Sequence, residues 1–315
     1  MKLNVLKQAS LPDALTAELA RRYHLVELTA LTDADFRALA GTFTVLITNG
    51  EATVTRALIA SLPALELIAV FGVGYDGVDV QAAAEHQVRV SHTPGVLTDD
   101  VADLALGLML ATSRQIVAAH KFIEAGEWAA GGFPWTQKVS GSRVGIVGMG
   151  RIGQAIARRC EGFAMQIAYH DRKRLPALNY AWREDLLTLA AESDFLVICT
   201  PGTAANQGLI NQPVLAALGE KGILINISRG SVIDEPALVA ALESGIIAGA
   251  GLDVFSHEPV VPAGLLQRSN VVVTPHMASA TWSTRAAMAQ LVLDNVACWA
   301  EKKALVTPVA ESLAD

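Results

Sequence analysis

The sequence predicts an α/β protein with two parallel sheets, and three observations carry that expectation. Short apolar runs alternate with helical patterns through the first part of the chain. The same alternation restarts near residue 143 and continues to about residue 275. The composition is 52% hydrophobic but only 5% aromatic, so aliphatic side chains carry the apolar load. Strands covered by helices on both faces read as aliphatic runs, and a strand–helix–strand rhythm means parallel pairing through right-handed crossovers. At 315 residues the chain has room for about two domains.

The elements follow in order. LNVLKQ, TVLITN, LELIAVFGVG and VRVSH read as strands, and residues 13–22, 55–61 and 79–86 as helices. A single long helix is expected from about residue 98, over TDDVADLALGLMLATSRQIVAAHKFIEAG. Its apolar residues surround much of the cylinder, which implies burial on several sides. Strand RVGIVG (143–148) then leads to a helix from about 152 and to strand QIAYH (166–170). A short helix near 183–191 precedes DFLVICT (194–200), and QPVLAALG precedes GILINIS (222–228). DEPALVAALESG leads to AGAGLDV (248–254), and NVVVTP closes the series. Six strands, in the order 3-2-1-4-5-6, make a dinucleotide-binding sheet. The last helix, about 280–300, lies beyond that finished sheet and is expected to return to the first domain. The domains are therefore 1–97 plus 282–315, and 98–281.

Composition excludes several classes. A net charge of −7 argues against nucleic acid, whose phosphates call for a basic surface. No apolar run approaches the ~18 residues of a membrane span, and the start, MKLNVLKQASLPD, lacks the apolar core of a signal peptide. Cys160, Cys199 and Cys298 stand far apart, with no metal-site spacing, and an odd count of isolated thiols fits a reducing cytoplasm. A cytoplasmic protein without a metal is the expectation.

The glycine pattern of VGIVGMGRIG carries the first functional signal. Gly148, Gly150 and Gly153 fall in G-x-G-x-x-G spacing where a strand turns into a helix. The first permits a tight turn, the second lets backbone approach a pyrophosphate, and the third lets helix and strand pack closely. N–H groups around Arg151 and Ile152 then face the anion. Asp171 ends the next strand, where a carboxylate binds the ribose hydroxyls of NAD. It opens DRKR, however, and Arg172, Lys173 and Arg174 would attract the 2′-phosphate that Asp171 repels. NADP(H) is favoured because a guanidinium grips phosphate bidentately while Asp171 can turn outward to a neighbouring cation, with NAD(H) as the alternative. Thr200, Pro201 and Ile227, at the ends of two later strands, are also counted as cofactor contacts.

Ligands of open α/β sheets bind outside the carboxyl ends of the strands. The fourth strand ends at Arg229, the fifth passes through Asp253 to Glu258, and the sixth ends at His276. Beside a nicotinamide, reduction of a 2-oxo acid needs a proton donor, a cation for the carboxylate and a hydride. His276 suits the acid, Glu258 would raise its pKa and keep it protonated, and Arg229 suits the carboxylate and the ketone. His24, His86, His92 and His120 match no such group. In the first domain, FGVGYDGVD exposes the N–H groups of Val73 and Gly74, a nest for the substrate carboxylate. An ordinary left-handed turn is the other explanation of that stretch.

GMGRIG, INISRGSVIDE, GLDVFSHEP and TPHMAS together resemble the D-isomer-specific 2-hydroxyacid dehydrogenase family. The resemblance implies a Rossmann-like cofactor domain inserted in a flavodoxin-like substrate domain, with the active site in the cleft between them. It also implies a homodimer built through the cofactor domains and the long helix after residue 98. The family's catalytic Arg, Glu and His fall on Arg229, Glu258 and His276, its carboxylate-binding backbone on Val73 and Gly74, and its nicotinamide-side Asp on Asp253. YHDRKRLPALNYAW is similar to the NADPH-preferring glyoxylate, hydroxypyruvate and hydroxyphenylpyruvate reductases, which carry a small polar residue in place of Asp171. The expected reaction is reduction of glyoxylate or hydroxypyruvate to the D-2-hydroxy acid. The alternatives are a bulkier acid, such as hydroxyphenylpyruvate or 2-ketogluconate, and a non-catalytic protein that senses dinucleotide.

Overall fold

The computed structural model describes residues 2–312. These divide into two compact units, one formed by the chain up to Leu97 together with the stretch from Ser279 onward, the other by Thr98–Ala278. The return to the first unit thus begins at Ser279 rather than at residue 282.

Among the described residues the first unit has a sheet of five parallel strands: β1 (Asn4–Lys7), β2 (His24–Glu27), β3 (Phe43–Asn49), β4 (Leu67–Phe71) and β5 (Arg89–Ser91), in the order β2-β1-β3-β4-β5. Helices α1 (Asp13–Arg22), α2 (Asp33–Leu39), α3 (Arg56–Ala60) and α4 (Val80–Glu85) make the connections. Strand β2 and helix α2 are additions to the sequence reading. β2 is an edge strand, exposed at both ends and only partly buried between, so it has no aliphatic run to announce it. α2 buries no residue fully, and its start is fixed by a Thr32–Asp35 capping box rather than by an apolar stripe. Every residue of β4 is buried, the mark of a strand covered on both faces.

The second unit opens with α5 (Thr98–Ser113) and α6 (Ile116–Glu124). One continuous helix was expected here. Instead the chain breaks at Gln115, whose backbone is left-handed (φ 49°, ψ 42°), and the two helices meet at a bend of 54°. Neither Gly nor Pro marks the break. Residues such as Val101, Ala105, Leu108 and Met109 are buried, which accounts for the apolarity of α5. Gly249 and Gly251 let α5 seat on the sheet: a methyl at either position would press on Thr112. Among the described residues no single helix is long and apolar enough to cross a membrane.

The sheet of this unit comprises β6 (Arg143–Val147), β7 (Gln166–His170), β8 (Ala181–Trp182), β9 (Phe195–Ile198), β10 (Ile223–Asn226), β11 (Gly249–Leu252) and β12 (Val271–Val273). Its order is β12-β11-β10-β9-β6-β7-β8, all parallel. Helices α7 (Arg151–Gly162), α8 (Leu186–Ala191), α9 (Gln212–Leu218), α10 (Glu235–Glu243) and α11 (Ala263–Leu266) connect the strands. Among the described residues seven strands replace the expected six. The extra one, β8, is two residues long, too short for any periodicity. It takes the outer position beyond β7 that the sequence reading gave to strand 194–200. That strand, β9, pairs directly with β6 and β10 instead. Strands β9, β10 and β11 are buried throughout, and burial of each Leu, Ile or Val contributes roughly 1.5–3 kcal/mol.

The last helix, α12 (Trp282–Ala300), packs against β4 and α1 of the first unit. The Thr281 hydroxyl caps it by accepting from the Thr284 N–H.

Candidate active site

Because the strands of the second unit are parallel, the turns that leave β6, β10, β11 and β12 all lie on one rim. The glycine turn after β6 has a separate requirement at each position. Gly148 adopts φ +94°, and a methyl there would approach the Thr200 N–H to 2.9 Å. A methyl on Gly153 would land on the Gly148 carbonyl, so helix α7 seats on the turn only without one. At Gly150 a methyl would meet nothing, so this is the open face of the turn, just before the first N–H groups of α7. Packing explains the first and third glycines, while open space at the second fits a pyrophosphate laid against the backbone. Arg151 is exposed and Ile152 half-buried at the start of the helix.

Asp171 departs from the expected outward pairing with a cation. Its Oδ2 accepts from the Met149 N–H at 2.9 Å and its Oδ1 from the Arg172 N–H at 2.8 Å. Two backbone donors hold the carboxylate against the glycine turn more firmly than an exposed cation could. Arg172, Lys173 and Arg174 are exposed, with no ion-pair partner among the described residues. Thr200 Oγ1 and the Pro201 carbonyl both accept from Asn206 Nδ2, at 3.0 and 2.9 Å, and Ile227 is buried.

The imidazole site is built at the end of β12. His276 Nδ1 lies 2.7 Å from Glu258 Oε2, with the two side chains 27% and 26% exposed. Glu258 Oε1 accepts from the Phe255 N–H at 2.9 Å. Burial pushes the Glu258 carboxyl up, but the His276 hydrogen bond, the Phe255 N–H and the charges of His276 and Arg229 outweigh it and hold the group below its ordinary range. The His276 backbone is left-handed, with φ 49°, a conformation that costs a non-glycine residue on the order of 1 kcal/mol or more.

Asp253 holds that turn. It is fully buried, its Oδ1 accepts from Thr274 Oγ1 (2.6 Å) and the Met277 N–H (2.9 Å), and its Oδ2 from the Ala278 N–H (2.9 Å). Its carbonyl accepts from the His276 N–H at 2.8 Å. Burial raises the carboxyl pKa against the pull of these donors and of the His276 charge. The sequence reading assigned Asp253 to the cofactor; with no exposed surface, the side chain instead clamps the loop that carries the imidazole.

Arg229 follows β10, with its Nη1 donating to the Ser228 carbonyl at 2.8 Å. Three supports here escaped the sequence reading. Asn226, fully buried, donates to the Arg229 carbonyl and accepts from the Ser228 N–H and hydroxyl. Glu235, also buried, accepts from the Ser256 N–H at 2.7 Å. A methyl on Gly230 would coincide with the Phe255 carbonyl, so the Arg229 turn and the Glu258 loop pack backbone to backbone. The usable signal was an amide inside an aliphatic strand, ILIN, where a buried polar side chain needs a structural reason.

In the first unit, Val73 and Gly74 follow β4. Neither residue is left-handed, which removes the simple-turn explanation, and among the described residues neither N–H has an acceptor. His92, set aside from sequence, places Nδ1 2.9 Å from the Val73 carbonyl oxygen.

Such a rim, with a glycine turn open at Gly150 and an imidazole–carboxylate pair at the ends of neighbouring strands, is the working edge of an oxidoreductase that uses a nicotinamide dinucleotide. Comparison with known proteins narrows the class. The chain belongs to the D-isomer specific 2-hydroxyacid dehydrogenase family, whose NAD-binding domain matches residues 106–278. It is 45% identical over 309 residues to hydroxyphenylpyruvate reductase of Plectranthus scutellarioides, covering 98% of this chain and 99% of that one. Glyoxylate/hydroxypyruvate reductase A of Arabidopsis thaliana is 40% identical over 309 residues, with the same coverage of 98% and 99%. The crystal structure of the NADPH-dependent glyoxylate/hydroxypyruvate reductase of Sinorhizobium meliloti, in complex with NADP and malonate, superposes with a TM-score of 0.93. That protein is 42% identical, with 99% of this chain and 98% of the other covered.

Proposed function

We propose that the protein reduces a small 2-oxo acid, glyoxylate or hydroxypyruvate, to the 2-hydroxy acid, in the D form where a stereocentre arises. The observation that carries this reading is the His276–Glu258 pair on the rim that also bears the glycine turn. Nδ1 is committed to the Glu258 carboxylate, so the proton for the carbonyl oxygen leaves from Nε2. The carboxylate stabilises the imidazolium before transfer and keeps the ring oriented after it. Arg229 offers a guanidinium to the substrate carboxylate and the developing alkoxide. The Val73 and Gly74 N–H groups, which have no acceptor among the described residues, are suited to a substrate carboxylate. The bound nicotinamide supplies the hydride. A second reading, reduction of hydroxyphenylpyruvate, is favoured by the 45% identical relative of that name.

For the cofactor we propose preference for NADP(H) with NAD(H) accepted. Arg172, Lys173 and Arg174 offer exposed cations without ion-pair partners among the described residues, and the NADP complex of the Sinorhizobium relative supports the same reading. Asp171 supports the NAD(H) component. The test is steady-state oxidation of NADPH and of NADH with glyoxylate, hydroxypyruvate and hydroxyphenylpyruvate. The expected result is turnover above about 1 per second on one of the two small acids, with NADPH preferred. Arg172→Ala should weaken NADPH far more than NADH; equal effects would remove the phosphate role. Dinucleotide binding without turnover of any acid would favour a sensor.

We also propose a homodimer. Ile116, Val117 and Ile123 on α6, with Trp128 and the fully exposed Trp135 beyond it, are exposed apolar side chains that a second copy would cover. Light scattering should report twice the 33.2 kDa chain mass, whereas a monomer at micromolar concentration would contradict it.

A further inference from the structure

We propose that His92 is a positioning residue that fixes the direction of the Gly74 N–H and thereby sets affinity for the substrate carboxylate. This rests on the reading in which the Val73–Gly74 turn takes that group. The Val73 carbonyl oxygen lies 2.9 Å from His92 Nδ1. A carbonyl has no hydrogen to give, so Nδ1 is the donor, in the neutral ring and the charged ring alike. The Val73–Gly74 peptide is trans, since the cis bond among the described residues is Glu258–Pro259. In a planar trans peptide the C=O and the following N–H point to opposite sides. Holding the Val73 oxygen toward His92 therefore turns the Gly74 N–H away from it.

The lock sits where the backbone needs one. A flip of this peptide plane changes ψ of Val73 and φ of Gly74, and glycine accepts the new φ at little steric cost. No acceptor among the described residues holds the Val73 or Gly74 N–H, so the hydrogen bond on the oxygen side restrains the plane. His92 is itself braced. The ring of Tyr75 meets the imidazole edge-on, at 5.1 Å between centroids and 88° between planes. Thr307 Oγ1 donates to the His92 carbonyl at 2.6 Å, and the His92 N–H donates to the Thr307 carbonyl at 3.3 Å. Thr307 is gripped in turn by the buried Asn295 of α12, whose Oδ1 accepts its N–H at 3.1 Å and whose Nδ2 donates to its hydroxyl at 2.9 Å. The next residue ties back to the turn, with the Thr93 N–H donating to the Gly72 carbonyl at 2.8 Å.

Three substitutions separate orientation from packing. Asn carries its amide nitrogen as far from Cβ as Nδ1, whereas Gln carries it one carbon further, and Phe fills the space with no donor. His92→Phe and His92→Gln should each raise KM for hydroxypyruvate on the order of tenfold, the loss expected for one oriented hydrogen bond. Under the same conditions kcat should stay within about twofold and KM for NADPH should not move. His92→Asn should restore the wild-type KM. An unchanged KM in His92→Phe, or equal values for Asn and Gln, would overturn the proposal; so would an equal rise in KM for NADPH. If His92→Phe does not fold, the Asn–Gln comparison still decides. Gly74→Pro removes the N–H itself and distinguishes the two levels of failure. A raised KM in Gly74→Pro with none in His92→Phe defeats the role of His92 alone. No change in either variant defeats the carboxylate-binding reading.

Discussion

At His276 the backbone takes a left-handed conformation, the side chain meets Glu258 at 2.7 Å, and a fully buried aspartate closes the turn beneath it. Each of these has a cost, in strain for His276 and in desolvation for Asp253 and Glu258, and together they aim one imidazole. The lowered pKa of Glu258 gives the sign of a pH effect. Its carboxylate is fully formed above the ordinary glutamate range, and its contribution is lost only as pH falls through the lowered value. Through neutral pH it is therefore an anion facing the imidazole. Glu258→Gln removes that charge and keeps the shape, so the imidazolium becomes easier to deprotonate. The alkaline limb of kcat/KM for reduction should move to lower pH, by about one to two units for loss of a contacting charge. A limb that stays in place would mean that Glu258 does not govern the proton donor.

Among the elements, the turn after β6 makes the sharpest distinction between packing and function. A methyl at Gly153 would strike the Gly148 carbonyl, whereas one at Gly150 would stand in open space. Gly153→Ala should therefore destabilise the fold, by about 1–3 kcal/mol for an overpacked site. Gly150→Ala should leave stability within about 0.5 kcal/mol yet raise the NADPH dissociation constant tenfold or more. Chemical unfolding and a fluorescence titration read the two quantities; wild-type NADPH binding by Gly150→Ala would contradict the pyrophosphate cradle. The same turn explains what was legible in the sequence. Glycine spacing and aliphatic strands are local signals, and they placed Gly148, Arg229, Glu258 and His276 at strand ends. What stayed hidden depends on tertiary contacts. β8 is two residues paired at an edge, and the break at Gln115 follows no breaker residue. Asp171 reads as a ribose ligand or the partner of a neighbouring cation until the Met149 N–H arrives from the neighbouring turn. Asn226 and Glu235 look like ordinary polar residues until the loops they hold are folded.

Across the whole molecule, the residues proposed for chemistry come from distant stretches of chain, with Val73 and Gly74 in the first unit and Arg229, Glu258 and His276 in the second. Within the second unit the parallel sheet gathers its share on one rim, because every strand ends at the same edge. Within the first unit, the bracket from Asn295 through Thr307 to His92 ties the helix α12 and the segment after it to the turn at Val73. The central claim is that His276 gives the proton while the nicotinamide gives the hydride. The most direct measurement compares the wild-type protein with His276→Ala, following NADPH consumption with hydroxypyruvate or glyoxylate alongside NADPH affinity. The account predicts a fall in kcat of about 10²–10⁴ with NADPH affinity unchanged. A variant that turns over the acid at the wild-type rate would contradict it.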